Sequence, residues 1–249
     1  MANELRIVRV DNEQLSRKTK AALVEIILNN SKDGQPFKLP NEDQLAQMIG
    51  VSRNVLRDAM ISLEQMGYVT RRRSRGTFAN PRIANEKCRL DTDPELCDMI
   101  TDQGFKARFE MRRLSFIGEQ DPVFGRDSQS YLNVEKLFFA DDQPVAYCID
   151  RIDGKFVERA EASLLRLKEI SYFQFLKRYC NISMAYTMAS IDAEPSADWL
   201  EREFALDQSE IVIVLEDHAY SCDLDIVGHS KVYFRRKFLP MRFLRKSWK

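Results

Sequence analysis

The chain has 249 residues, 44% hydrophobic and 31% charged, which is the balance of folded globular domains rather than of a fibrous or disordered chain. Its 38 basic and 38 acidic residues cancel, but not locally: residues 1–82 hold 14 Lys/Arg against 9 Asp/Glu, and residues 83–249 hold 24 against 29. A basic head on an acidic body fits a chain in which only the head meets a polyanion. No apolar run approaches a membrane span and the start lacks a signal-peptide core, so no membrane partner and a cytoplasmic location are expected.

Taken in order, residues 1–12 read as a loose arm. From Leu15 to Asn29 the spacing of Leu23, Ile26 and Ile27 predicts a helix. Lys32 to Pro36 is a turn. Asn41 with Gln44 three residues on forms a capping-box pattern, and Leu45, Met48 and Ile49 continue it as a second helix ended by Gly50. Ser52 is placed to cap a third helix, in which Leu56, Ala59, Met60 and Leu63 recur as a buried stripe. Arg53, Asn54 and Arg57 fall on the opposite face near its start, where guanidinium and amide groups suit the edges and phosphates of a DNA major groove. Tyr68 to Thr70 and Thr77 to Ala79 read as two short strands around Arg71, Arg72, Arg73, Ser74, Arg75 and Gly76. Gly76 permits the tight turn, and the arginines there suit phosphates or a minor groove.

Helix, turn, helix and basic hairpin in that order make a winged helix. The stretch resembles the DNA-binding domain of the GntR family of bacterial transcriptional regulators. The resemblance rests on Leu39, Pro40, Glu42, Leu45, Ala46, Gly50 to Arg53, Leu56, Arg57, Ala59, Leu63, Glu64, Gly67 and Arg75 to Phe78. It implies that Arg53, Arg57 and the wing-tip Gly76 meet double-stranded operator DNA, and Ser52, Asn54, Arg73, Arg75 and Thr77 complete the candidate face. Two positions depart from the family: Asp43 stands where an arginine is usual, and Ser74 replaces the first wing glycine.

Residues 82–92 read as a polar linker after a head spanning 1–81. From Asp93 onward the pattern predicts a helix to Asp102 and strands at Lys106–Phe116, Tyr131–Ala140 and Pro144–Arg151. Helices follow at Val157–Lys168 and Tyr172–Tyr179, then a strand at Met184–Ala193. A helix capped by Ser196 runs to Leu206, and strands at Ile211–Tyr220 and His229–Leu239 complete the pattern. This is an α+β domain on a mixed, mostly antiparallel sheet. Residues 93–249 resemble the UTRA effector-sensing domain of the HutC subfamily, which has a chorismate lyase-like fold. The matching positions are Lys136, Leu137, Ala140, Asp141, Pro144 to Ala146, Ser171 to Phe173, Leu176, Ala193, Trp199, Leu200, Gly228 to Ser230 and Tyr233.

That resemblance implies a small-molecule effector and a dimerising body. Sugar-phosphate sensors of the subfamily usually carry arginines at the Lys136 and Phe138 positions and glutamates at Cys148 and near Gly228. With those partners gone, a small organic anion is expected instead, at Lys136, Phe138, Cys148, Ser171, Ser230 and Tyr233, with Arg151 and Tyr186 added. The alternative is that Phe138 and Cys148 simply pack the core. Five cysteines without a C-x-x-C pattern read as free thiols. His218, His229, Cys222 and Asp217 lack a known ligand spacing, so neither metal nor cofactor is expected. No catalytic constellation stands out. A non-enzymatic regulator, a repressor acting as a homodimer, is the reading, against a lyase-like enzyme or an effector-free DNA-binding protein.

Overall fold

The computed structural model describes residues 12–246 apart from 93, 183 and 207, with the side chains of 12–14 and 158–162 outside the description. The arm expected over 1–12 lies, except for the residue that opens the first helix, outside the described residues. The chain divides into two units: one runs to Asp93 and takes in the tail from Arg242, and the other is Pro94–Met241.

The first unit contains α1 (Asn12–Asn29), β1 (Phe37–Lys38), α2 (Glu42–Ile49), α3 (Arg53–Gln65), β2 (Val69–Arg72), β3 (Gly76–Ala79) and α4 (Pro81–Ala84). The capping box is made in full: the Gln44 amide donates to Asn41 Oδ1 at 2.8 Å, and the Asn41 amide donates to Gln44 Oε1 at 3.2 Å. Gly50 takes the left-handed conformation, φ 77°, that releases the chain from α2 into the turn. Ser52 Oγ then accepts the Val55 amide at 3.3 Å and starts α3. The apolar stripe of α3 meets Leu23, Ile27 and Leu45 in a closed core, and the three strands pair antiparallel in the order β1-β3-β2.

Residues 82–92, expected as a linker, have backbone partners instead. Cys88 O accepts the Arg242 amide at 3.1 Å, and the Leu90 amide donates to Arg242 O at 2.8 Å. Asp91 Oδ1 accepts the Leu244 amide at 3.1 Å, and Lys246 Nζ donates to Glu64 O at 2.8 Å. The physical reason is that peptide groups leaving water need partners, and the returning tail supplies them. Residues 242–246 thus belong with the head rather than with the strand that precedes them.

The second unit holds α5 (Leu96–Asp102), β4 (Ala107–Ile117), β5 (Tyr131–Ala140), β6 (Gln143–Asp153), α6 (Gly154–Val157), α7 (Tyr172–Tyr179), β7 (Met184–Pro195), α8 (Asp198–Phe204), β8 (Ile211–Ser221) and β9 (Ile226–Arg235). Its six described strands pair antiparallel throughout, in the order β4-β5-β6-β9-β8-β7. Three expectations shift. The helix expected over 157–168 is a single α-turn followed by 3-10 helix at Glu158–Lys168, where Leu164 and Leu167 pack inward at the three-residue spacing that 3-10 geometry requires. Ser196 does not cap α8, whose N-cap is Ala197; its hydroxyl accepts the Glu210 amide at 3.0 Å and ties the α8 loop to β8. The last strand begins three residues earlier than expected and ends at Arg235, where a turn bonds the Phe238 amide to Arg235 O.

Alternation sorts the sheet into two faces. Leu132, Val134 and Ile152 lie under Tyr172, Phe175 and Leu176 of α7. On the other face Leu137, Tyr147, Val214 and Tyr233 lie under Leu200 and Phe204 of α8.

Gly67 tests the head. It sits at φ 76°, and a Cβ there would stand 2.5 Å from Leu244 Cδ2. Gly67→Ala is expected to destabilise the head by about 1–3 kcal/mol through backbone strain and crowding. Calorimetry should show the loss, and adding Leu244→Ala should recover only the steric part.

Candidate DNA-contacting face and buried polar nest

The start of α3 is exposed, and Arg53, Asn54 and Arg57 project from it together. Each arginine leans on a carboxylate of α2: Arg53 Nε stands 3.3 Å from Asp43 Oδ1, and Arg57 Nε 3.8 Å from Glu42 Oε2. Both pairs are open to water and hold the guanidinium groups only weakly, so they can yield to phosphate. Asp43, which replaces a usual arginine, therefore acts as a resting counter-ion for Arg53.

The wing supplies a second cationic edge. Arg73 and Arg75 are exposed at its tip, Ser74 adopts φ 61°, and Gly76 lies at φ 98°. Serine thus fills a left-handed position usually given to glycine, while the second glycine keeps the turn tight. Thr77 follows on β3, where its carbonyl accepts the Leu39 amide at 2.9 Å. The wing arginines divide in role. Arg71 bonds Glu42 at 3.1 Å and Glu64 at 3.4 Å, tying the wing to α2 and α3, and the Arg72 guanidinium lies 4.7 Å from the centre of the Phe78 ring. Sequence reasoning missed Lys38, whose side chain passes beside Gly76; its only signal was its place just before Leu39 and Pro40.

In the second unit, strand register brings Lys136, Cys148, Asp150 and Ser230 to one face on three adjacent strands. Lys136 is 2% exposed; its Nζ donates to Ile170 O at 2.6 Å and stands 4.7 Å from the Phe109 ring centre. Asp150 Oδ1 accepts from Ser230 Oγ at 2.7 Å and from Cys148 Sγ at 3.1 Å. Ser171 caps α7 and donates to Glu95 Oε1 at 2.8 Å, and Gln174 Nε2 donates to the same oxygen at 3.2 Å. Burial lowers the Lys136 pKa against the pull of Asp150, raises that of Asp150, and pushes the Cys148 thiol well above its usual range. Phe138 lies further along the same strand, its ring 5.3 Å from Phe109. Asp150 and Glu95 were not foreseen from the sequence, although both surround the expected cation.

The other expected effector residues lie on the opposite face. Tyr233 packs edge-on to Trp199 at 5.4 Å, and Tyr186 stacks on Tyr220 at 5.1 Å. Arg151 donates to Asp121 Oδ2 at 2.6 Å and, through its other terminal nitrogen, to His229 Nδ1 at 3.0 Å. Arginine can only donate, so His229 Nδ1 accepts, and the ring proton sits on Nε2, 2.7 Å from Glu216 Oε1. Burial lowers the His229 pKa below 6.5, despite the nearby Glu216. Among the described residues no group of three or more His, Cys, Asp or Glu is gathered to hold a metal, and no helix is long and apolar enough to cross a membrane. Because the unfolded chain protonates this imidazole before the folded one does, stability is expected to fall as pH drops below about 6.5. Melting curves of the wild type across that range should be steeper in pH than those of His229→Gln.

Two family patterns match the chain, one on each unit. The pattern described as bacterial regulatory proteins, gntR family, covers residues 16–79, and the UTRA domain covers residues 126–238. In Bacillus subtilis (strain 168), the HTH-type transcriptional regulator YcbG is 39% identical over 87 residues, 33% of this chain and 36% of that protein. YurK of the same organism is 25% identical over 133 residues, 50% of this chain and 54% of that protein. The chain thus spans about a third to a half of the length of these curated relatives. Among solved structures, the possible transcriptional regulator YydK from B. subtilis superposes with a TM-score of 0.70 at 14% identity, over 96% of this chain and all of that one. PhnF from Mycobacterium smegmatis gives 0.57 at 19%, over 92% and all of that chain, and at such identities both likenesses are of fold. Head and body each carry their own match, in the order in which the structure places them, and the chain belongs to the GntR family of bacterial regulatory proteins, with a UTRA domain behind its winged head.

Proposed function

We propose that the protein is a cytoplasmic transcriptional regulator of the HutC arrangement, in the sense of a repressor, that binds a twofold operator as a homodimer and answers to a small organic anion. The carrying observation is the joint display of Arg53, Asn54 and Arg57 on α3 with Arg73 and Arg75 on the wing, all exposed on one winged head. An exposed helix start enters a major groove, and a basic wing follows the flanking phosphates. One head makes few base contacts, and pairing two heads matches a twofold site. Ser52 and Thr77 complete the face through the cap and the wing strand.

The anion is assigned to the nest around Lys136. Its ammonium now bonds Ile170 O, next to the Ser171 cap of α7. An anionic group arriving there would replace that carbonyl as the lysine's partner, beside the start of α7, whose positive dipole end favours negative charge. Displacing Ile170 would move the helix that covers the sheet, which gives the effector a lever. Phe138, Cys148 and Ser230 line the same face; Arg151, Tyr186 and Tyr233 would act only indirectly. A regulator is favoured over an enzyme because burial pushes the Cys148 thiol well above its usual range and its neighbours hydrogen-bond one another, so this nest offers no activated nucleophile.

Replacing Arg53 or Arg57 with Ala should weaken specific DNA binding by about 1–3 kcal/mol while leaving the fold intact. Fluorescence anisotropy with a selected operator measures this, and unchanged affinity in the folded double variant would remove the assignment. Coupling between effector and operator sites is typically about 1–3 kcal/mol, enough to shift operator affinity by roughly tenfold. Lys136→Ala should abolish that shift and spare DNA binding. A gel shift over a panel of small carboxylates, sulfonates and phosphonates reads it, and an equal response in both proteins would place the effector elsewhere.

A further inference from the structure

The two arginines at the start of α3 are approached by carboxylates from the same side. Asp43 Oδ1 lies 3.3 Å from Nε of Arg53, and Glu42 Oε2 lies 3.8 Å from Nε of Arg57. Both acids stand in the first turn of α2, where the positive end of the helix dipole favours them. The two differ in exposure and in duty. Glu42 also bonds Arg71 at 3.1 Å, so it fastens the wing, and its side chain is 25% exposed. The Asp43 side chain is 67% exposed and that of Arg53 59%, so this pair stands in the open at the head of the recognition helix. A carboxylate seated at Nε leaves the paired terminal nitrogens of a guanidinium group for a second acceptor. A guanine edge presents two such acceptors side by side in the major groove, O6 and N7. A phosphate oxygen makes no such demand and can take an arginine by any of its nitrogens.

We infer that Asp43 is a positioning residue for base reading: it holds Arg53 by Nε, presents the terminal nitrogens to a guanine edge, and disfavours capture of Arg53 by phosphate. This rests on the DNA-contacting face proposed above and names a residue that sets its selectivity. At a guanine, Arg53 keeps Asp43 and gains the base, and the pair strengthens as water leaves the groove. Phosphate can replace Asp43 on Arg53, but the displaced carboxylate is then left beside a backbone charge of its own sign. Non-specific affinity comes from phosphate contacts, so it is held down while affinity for the operator is kept. The acid therefore raises the ratio between specific and non-specific binding, which is the quantity that decides operator occupancy among competing sites. Glu42 is less suited to this role, being further from its arginine and shared with the wing.

The test uses the full-length protein as wild type, Asp43→Asn, Asp43→Glu and Arg53→Ala. Selection from a randomised duplex library with the wild type supplies an operator, and fluorescence anisotropy then compares that operator with a scrambled duplex. The wild type should select a guanine that Arg53→Ala no longer selects. Asp43→Asn should bind scrambled DNA more tightly, with a salt slope steeper by about one, and its operator-to-scrambled ratio should fall by roughly tenfold. Asp43→Glu, which keeps the charge in the same helical turn, should keep more of the ratio than Asp43→Asn. Replacing the selected guanine with 7-deazaguanine, which lacks the N7 acceptor, should weaken the wild type more than Asp43→Asn. Operator and scrambled affinities that rise together in Asp43→Asn would show a merely repelling charge and overturn the inference. An unchanged ratio with unchanged affinities would overturn it as well, and would leave the DNA-contacting face standing. An Arg53→Ala variant that holds the operator as tightly as the wild type would overturn both.

Discussion

Strand pairing carries side chains across an antiparallel sheet in rows, and the rows of this sheet decide what the second unit can do. One row runs Met111, Lys136, Cys148, Val232, Leu215, Ile191 over all six strands. It begins beside a buried ammonium group and ends on the most open strand. A slip of β5 by one residue against β6 would send Lys136 to the face of Leu137 and Tyr147 and would dissolve the nest. The aliphatic side chains on both faces hold the register, since a slip would exchange Leu132 and Val134 for side chains that have no place under α7. The polar nest thus depends on apolar packing that takes no part in its chemistry.

Burial of Lys136 sets a second condition. An ammonium group out of water needs partners, and here they come from a carbonyl just before α7 and from carboxylates on β6 and before α5. Each of those groups has partners of its own, so the nest gathers β5, β6, β9, α7 and the chain before α5 as three groups of hydrogen bonds held together by the charge of Lys136. A ligand that takes one member of such a set disturbs the others, whereas a ligand on a solvated lysine would disturb only water. The head is built on the opposite terms. Its cations are exposed and loosely paired, which leaves them free to exchange carboxylate for phosphate.

The head was legible in the sequence because its signals are local. The capping residues Asn41 and Ser52, the stripe from Leu56 to Leu63 and the glycines at 50 and 76 each act within a few residues of themselves. The sheet of the body was legible for the same reason, through alternation and turn residues. Its site was only half legible. The period of two in β6 already separates Arg151 from Cys148 and Asp150, and it should have set Arg151 on the far face and brought Asp150 in. Glu95 had no such signal, because its partners lie more than seventy residues away. The same holds for residues 242–246, whose pairing with Cys88, Leu90 and Asp91 leaves no trace in either stretch. Lys136 was found through family position; nothing in its neighbours announced that it would be buried.

The return of the tail to the head has a consequence for synthesis on the ribosome. Domains emerging from the ribosome generally fold in the order in which they are made. Here Leu244, which packs against Gly67 at the end of the recognition helix, is translated after the whole of the sensing sheet. The head can form its core early, but its last backbone partners arrive only when the body has been made. Completion of the winged unit is therefore timed by translation itself, so that a finished head is always accompanied by the sheet domain made before its tail.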